Sequence, residues 1–424
     1  MSLLMTYLTT TWSSEGEREG RVGSAAIGAK GASNENILYV TDRAPMTSDG
    51  GALSYSSVRA RSMSFGSVAL AAGQSVAQAG GNRRGVAPLN VSEITKLGEF
   101  PPSPYQIELT ADGPRRHRAT VDAHLKAAAT LQDEVSARLA KAKRKEVVIF
   151  VHGYNNSFDD AAVTAGRFCA LLSRDFVCVL LSWPAGGSGG ALYGYNIDRE
   201  SGEFAVADLK KAIRIISATR QVEDVHLIAH SRGADVLLST LQHLGMEAYS
   251  TRSSPGERYK ISNVVLFAPD IDLDIAATKL FGFVSDPDAP HGAVAEPYDV
   301  LPRIGPLHLT IYSSPTDMVL ALSRGLFGSV ARLGRLTRDS ISAEEAGANP
   351  LWRNLHLTGV ADFIEYDGRA GFGGHSYFLS DPAIERDIIA LLRDRRKAGH
   401  PDRPLIEIRR PFWRISTDEA APGQ

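Results

Sequence analysis

An α/β architecture, with a doubly wound, mainly parallel sheet, an N-terminal extension and lid-like insertions, is what the sequence predicts, on three observations. From residue 146 onward, short continuous apolar runs alternate with stretches of helical period, the order that right-handed crossovers between parallel strands require. One of those runs, Val225-His226-Leu227-Ile228-Ala229, stops abruptly at His230-Ser231-Arg232-Gly233 and a helical pattern follows at once, so it reads as strand, tight turn, helix. The chain is also large enough to bury such a sheet on both faces, with 424 residues of which 43% are hydrophobic and 22% charged.

Taken in order, residues 1–34 are rich in Gly, Ser and charge without a period and read as a disordered leader. Residues 35–145 read as N-terminal strands, an irregular segment and a helix packed on the core. Ile37 to Thr41 is a first strand, and Gly73 to Pro104, dense in Gly, Ala and Pro, argues for irregular structure. Tyr105 to Leu109 is a short strand with Ile107 and Leu109 alternating. Leu125, Leu131, Val135 and Leu139 mark an amphipathic helix from about Val121 to Lys143.

Residues 146–398 read as the core. Val147 to Val151 is a strand apolar throughout, as one covered on both faces must be. Phe158, Ala161, Ala162, Ala165, Phe168, Cys169 and Leu172 recur at helical spacing, then strand Val177 to Leu181, a glycine-rich loop through Gly190, and a helix with Val206, Leu209, Ile213 and Ile216 on one face. After the Val225 strand and its helix come strands Val264 to Phe267, Leu309 to Tyr312 and Asp362 to Tyr366, and a last helix bearing Ile384, Ile388, Leu391 and Leu392. Insertions at 282–306 and 326–359 are too long for plain connections and are expected as lids. Residues 399–424 are expected as a C-terminal tail.

Charge and composition narrow the partners. A net charge of −2 and a pI near 6.6 give no footprint for nucleic acid. The basic run Lys141 to Lys145 reads as the solvated end of a helix. Met1 to Trp12 lacks a basic n-region, and no apolar run reaches the length of a membrane span. Cys169 and Cys178 fall at apolar positions and read as buried free thiols, with a disulfide left open, which favours a reducing, cytoplasmic setting.

Chemistry converges on the turn at Ser231. A serine there is held in a strained conformation that lifts its hydroxyl off the sheet, and the close strand–helix approach demands small residues two positions either side, met by Ala229 and Gly233. The usual glycine at the first of these positions is Ala229 here. Ser231 as a plain helix N-cap would not explain both small flanks. A serine hydroxyl needs a base, and the base an orienting acid. His375, in Gly373-Gly374-His375-Ser376-Tyr377, is the candidate base, with His356 its rival. Asp317, in Tyr312-Ser313-Ser314-Pro315-Thr316-Asp317, is the candidate acid; it can equally cap the helix from Met318, and Asp270 is the runner-up. The N–H groups of Arg232 and Tyr154 are the candidate oxyanion donors, with Gly153 permitting close approach, although Asn155 and Asn156 can also simply cap the next helix.

Two other signals fail on spacing. Gly186-Gly187-Ser188-Gly189-Gly190 lacks the third glycine of a dinucleotide loop, at Leu192, and Asp270, Asp272 and Asp274 start like a calcium loop but meet Ala276 and Phe281 where ligands belong. No metal-ligand pair of Cys or His is present in the usual motifs, so neither metal nor cofactor is expected.

Val151-His152-Gly153-Tyr154-Asn155, Ser182-Trp183-Pro184, Ala229-His230-Ser231-Arg232-Gly233, Phe267-Ala268-Pro269-Asp270-Ile271-Asp272 and Gly374-His375-Ser376-Tyr377 together resemble the α/β-hydrolase superfamily. More narrowly they are similar to an uncharacterised, largely bacterial hydrolase family described only as esterase/lipase-like. Tyr39-Val40-Thr41-Asp42-Arg43 resembles its first strand, so the likeness runs from about Ile37 to Arg395. It implies the α/β-hydrolase fold and the chain order Ser, Asp, His for the reacting groups, but no substrate. The expectation is a serine hydrolase of carboxylic esters acting on a small acyl substrate. The competing readings are a non-catalytic binding protein on the same fold, and an acyltransferase or thioesterase.

Overall fold

The structure is a computed structural model and describes residues 35–47, 50–72, 89–187, 190–285, 307–329, 331–339, 359–368 and 372–415. In chain order the elements are β1 (Glu35–Thr47), β2 (Leu53–Ala72), β3 (Leu89–Glu99), β4 (Ile107–Thr110), β5 (Gly113–Arg116), α1 (Arg118–Lys141), β6 (Glu146–Val151), α2 (Phe158–Leu171), β7 (Val177–Ser182), α3 (Gly190–Ser217), β8 (Asp224–His230), α4 (Gly233–Tyr249), α5 (Pro255–Tyr259), β9 (Ile261–Phe267), α6 (Leu273–Ser285), β10 (His308–Ser313), α7 (Met318–Phe327), β11 (Ala361–Glu365), α8 (Pro382–Ile388), β12 (Leu405–Arg409) and β13 (Phe412–Ile415). The chain forms two compact units, one of Met1–Thr130, Tyr154–Arg167 and Leu180–Ala205, the other of Leu131–Gly153, Phe168–Val179 and Val206–Gln424.

The second unit carries the strand order β12-β13-β11-β10-β9-β8-β6. Every pair from β6 through β8, β9, β10 and β11 to β13 is parallel. Strands in such a sheet are covered on both faces, and β6 is buried at all six positions. The helical stripes behave likewise: Leu131, Val135 and Leu139 of α1 are fully buried, whereas Leu125, counted in that stripe from sequence, is 59% exposed. The last helix passes from α8 into a wider π turn, Ile389–Arg393, whose Ala390, Leu391 and Leu392 are buried.

In the first unit β1, β2 and β3 form an antiparallel ribbon. Arg43 is buried in this unit and donates to Ser182 Oγ (2.8 Å) and to the carbonyls of Ala185 (2.9 Å) and Asn156 (2.7 Å). The short strand read near Tyr105 is β4, hydrogen-bonded to β5 as a separate two-stranded sheet with Ile107 and Leu109 63% and 85% exposed.

Several expectations are corrected. Residues 73–104 were expected to be irregular, yet Leu89–Glu99 is β3. β2, twenty residues long, has no counterpart in the sequence reading, because Ser and Arg interrupt its apolar alternation. The segment read as a tail holds β12 and β13, whose Phe412 and Trp413 are buried. Cys169 and Cys178 are not free thiols: they form a disulfide with an S–S distance of 2.07 Å, which removes the ground for inferring a reducing compartment. Of the predicted insertions, residues 331–339 pack on strand ends, with the Gly334 N–H bonded to the Pro269 carbonyl and the Ser314 N–H to that of Gly334. The leader 1–34 and the stretches 286–306 and 340–358 lie outside the described residues. Among the described residues no helix is long and apolar enough to cross a membrane.

Candidate functional site

The site is built at the carboxyl ends of β8, β10 and β11, where open parallel sheets bind ligands. At the end of β8 the chain turns into α4 through Ser231, whose φ is +52°, a left-handed value that costs a non-glycine residue on the order of 1–3 kcal/mol. The turn is pinned on three sides. The Ser231 N–H donates to the Phe267 carbonyl at 2.9 Å, and the Ser231 carbonyl accepts from the N–H groups of Ala234 and Asp270, both at 3.1 Å.

Small residues are forced here by backbone approach. A Cβ on Gly233 would lie 2.2 Å from the His152 carbonyl oxygen, and one on Gly153 would lie 2.9 Å from the Ser231 Cβ. Ala229 is completely buried under the turn.

His375 lies past β11 on a loop whose two preceding residues, Gly373 and Gly374, take φ of +58° and +73°, a turn that only glycine makes without strain. Its imidazole stands with Nε2 2.8 Å from Ser231 Oγ and Nδ1 2.7 Å from Asp317 Oδ2. Because a carboxylate only accepts, Nδ1 carries the proton and Nε2 presents its lone pair to the hydroxyl. All three residues are buried.

Asp317 does both things its position suggested. Its Oδ1 accepts the Leu320 N–H at 2.9 Å and so caps α7, while Oδ2 holds His375. The Arg335 guanidinium donates to its carbonyl oxygen. Asp270, the runner-up, is engaged elsewhere: Oδ1 accepts from Ser323 Oγ at 2.7 Å and lies 3.6 Å from Arg332. His356 lies outside the described residues.

This turn at Ser231, with a histidine and a carboxylate on later strand ends, falls within residues 127–395, which match a family model described as "Alpha/beta hydrolase of unknown function (DUF900)", well over half of the chain. The protein is an α/β hydrolase of this family. No curated protein matches it. Among solved structures the hydrolase is similar to esterase B from Lactobacillus rhamnosis, inhibited by a tributyrin phosphonate, with 14% identity over 60% of this chain and 77% of that one and a TM-score of 0.32. It is also similar to an esterase from Pyrobaculum calidifontis (13% identity, 59% and 78% covered, TM-score 0.27) and to carboxylesterase CesB (YbfK) from Bacillus subtilis (10%, 63% and 98%, 0.29).

Of the two residues expected to donate to an oxyanion, Arg232 stands at the N-terminus of α4 with φ −62° and ψ −27°. Its side chain pairs with Asp235 at 2.7 Å, and Asp235 in turn with Lys279 at 2.6 Å. Tyr154 belongs to the first unit and directly follows Gly153. Its ring lies 5.3 Å from that of Tyr195, and burial with the nearby Asp198 pushes its phenol up to about 12. The helix α2 is capped by Ser157, whose Oγ accepts the Asp160 N–H at 3.1 Å, rather than by Asn155 or Asn156.

Asp198 was missed in the sequence. It is fully buried in the first unit and accepts the N–H groups of Asn155 (2.9 Å), Gly186 (3.1 Å) and Gly187 (3.5 Å), and burial raises its carboxyl. One carboxylate therefore holds both the 154–155 turn and the glycine loop, and Asn155 sits at φ +54°. No local pattern marks such a residue, since its three partners lie 43, 12 and 11 positions away. Asp272 acts as a helix terminus would use it, its Oδ1 accepting the N–H of Asp274 at 2.9 Å. Among the described residues no group of three or more His, Cys, Asp or Glu can hold a metal ion.

Proposed function

We propose that this α/β hydrolase cleaves carboxylic esters by transferring the acyl group through Ser231 to water. One observation carries the reading: a single imidazole lies within hydrogen-bond distance of both the Ser231 hydroxyl, at 2.8 Å, and the Asp317 carboxylate, at 2.7 Å. That is the arrangement in which a weak nucleophile gains a base whose tautomer is fixed from behind.

His375 Nε2 takes the hydroxyl proton as Oγ attacks the ester carbonyl, giving a tetrahedral oxyanion. His375 then returns that proton to the leaving alkoxide, the C–O bond breaks, and the alcohol departs from an acyl-serine. A water molecule, deprotonated by the same Nε2, attacks the acyl carbon, and the proton passes back to Oγ as the free acid leaves. Asp317 stays ionised and stabilises the imidazolium in both halves. The N–H of Arg232 is one oxyanion donor, favoured by its place at a helix N-terminus. The N–H of Tyr154 is the proposed second, from its place in the chain next to Gly153.

The test is hydrolysis of a series of p-nitrophenyl esters of increasing acyl length by wild type and Ser231→Ala. The variant is expected to lose about 10⁴-fold or more in kcat on every ester the wild type cleaves. A variant that keeps wild-type turnover refutes the reading.

A further inference from the structure

His230, the residue immediately before Ser231, plays no part in the chemistry above, yet its side chain packs against the proposed base. Its ring centroid lies 4.9 Å from that of His375, tilted by 48°, and 4.7 Å from that of Phe378 on the other side of the histidine loop. Its Nε2 lies 3.4 Å from the His375 carbonyl oxygen. A carbonyl only accepts, so that nitrogen carries the proton and the ring binds as a donor. Its Nδ1 faces the backbone of Gly153, where an added Cβ would come within 3.2 Å.

The contacts answer a weakness in how the base is mounted. His375 follows two glycines in left-handed conformation, the residue type with the most backbone freedom to lose, so the loop does not fix its own direction. Asp317 and Ser231 engage the two ring nitrogens but make no contact with the flat of the ring, and leave the carbonyl to another partner. His230 supplies a donor to that carbonyl and a flat surface against the ring, from the half-buried last residue of β8.

We propose that His230 is a positioning residue which holds the loop and ring of His375 in line with Ser231. Withdrawal from water first, and then the neighbouring His375 and His152 rings, lower the His230 imidazole well below the usual histidine range, against a hydrogen bond to the His375 backbone that raises it. Lys or Arg here would oppose protonation of His375 by repulsion.

The inference rests on the serine-hydrolase reading, and the experiment separates the two. Wild type, His230→Ala, His230→Phe and His230→Gln are compared in kcat and KM on a p-nitrophenyl ester and in the rate of Ser231 labelling by a fluorophosphonate. Loss of aim by a fraction of an ångström predicts that His230→Ala falls about 10-fold or more in kcat and in labelling rate together, with KM within twofold. His230→Gln, which keeps an N–H for the carbonyl, recovers most of that loss. If His230→Ala does not fold, His230→Phe keeps the bulk and removes the donor, and shows the same fall in kcat at unchanged KM. A folded His230→Ala or His230→Phe within twofold of wild type in both rates overturns the positioning role while leaving the serine chemistry intact. A wild type that is not labelled at Ser231 overturns both.

Discussion

Replacing Asp317 by Asn separates what its two oxygens do. Both partners of the carboxylate are donors: the Leu320 N–H on Oδ1 at 2.9 Å and His375 Nδ1 on Oδ2 at 2.7 Å. An asparagine offers one acceptor and one donor, so one partner is mismatched. The backbone N–H cannot become an acceptor, but the imidazole can change tautomer, so the amide oxygen stays with Leu320 and the NH2 turns to His375. Nδ1 then accepts, the proton moves to Nε2, and the lone pair that should take the Ser231 proton is gone. Since Asn and Asp cap helices about equally well, stability should change by only a few tenths of a kcal/mol, while kcat falls about 10⁴-fold. Asp317→Ala should lose activity to a similar degree and also roughly 1 kcal/mol of cap stability. The assay is ester hydrolysis beside denaturant unfolding of the same preparations. Asp317→Asn at wild-type stability and within tenfold of wild-type kcat would refute the reasoning.

Three further outcomes test the frame around the site. Gly233→Val, whose Cβ would meet the His152 oxygen at 2.2 Å, should yield no folded soluble protein, and Gly233→Ala should cost roughly 2–3 kcal/mol in urea unfolding; a neutral Gly233→Ala would show that the turn has room it lacks here. Alkylation under denaturing conditions should find no free thiol until reductant is added, and reduction should lower stability by roughly 2–3 kcal/mol for a loop with a sequence separation of 9. Burial pushes Glu146 up, but hydrogen bonds from His226 (2.8 Å) and Arg395 (2.6 Å) overcome it and leave the carboxyl at about 2, against an ordinary 4.5. A depressed carboxyl stabilises the fold above its unfolded value and loses that contribution as pH falls toward the folded one, so unfolding free energy should drop between pH 4.5 and 2, by roughly 3 kcal/mol, and Glu146→Gln should flatten that slope.

What the residues told in advance, and what they did not, divides along physical lines. Strands β6, β8, β9 and β10 are largely covered on both faces and so spell themselves as mostly apolar runs, and the turn at Ser231 declares itself because a Cβ at 233 would meet backbone at 2.2 Å. Of Ser231, Asp317 and His375, named from their places after strands, His375 lies within hydrogen-bond distance of both of the others in the fold. Asp317 was legible twice over, as a cap and as a partner, because the two roles use different oxygens. β2 and β13 were not legible: Ser and Arg break the alternation of one, and the other is a run of only four residues, Phe412–Ile415, paired with β11 and β12. The disulfide, the buried Arg43 and the carboxylate of Asp198 depend on partners fixed by tertiary placement, which no local spacing encodes. His230 stood in plain view beside the serine, but its contact with a loop 145 residues away did not.

The most direct test of the account is the site of covalent capture. Incubation with a fluorophosphonate, followed by digestion and peptide mass spectrometry, should place one phosphonyl adduct on Ser231, and the adduct should vanish when His375 is replaced by alanine. An unmodified Ser231 in folded wild-type protein, or an adduct that forms equally well without His375, would contradict it.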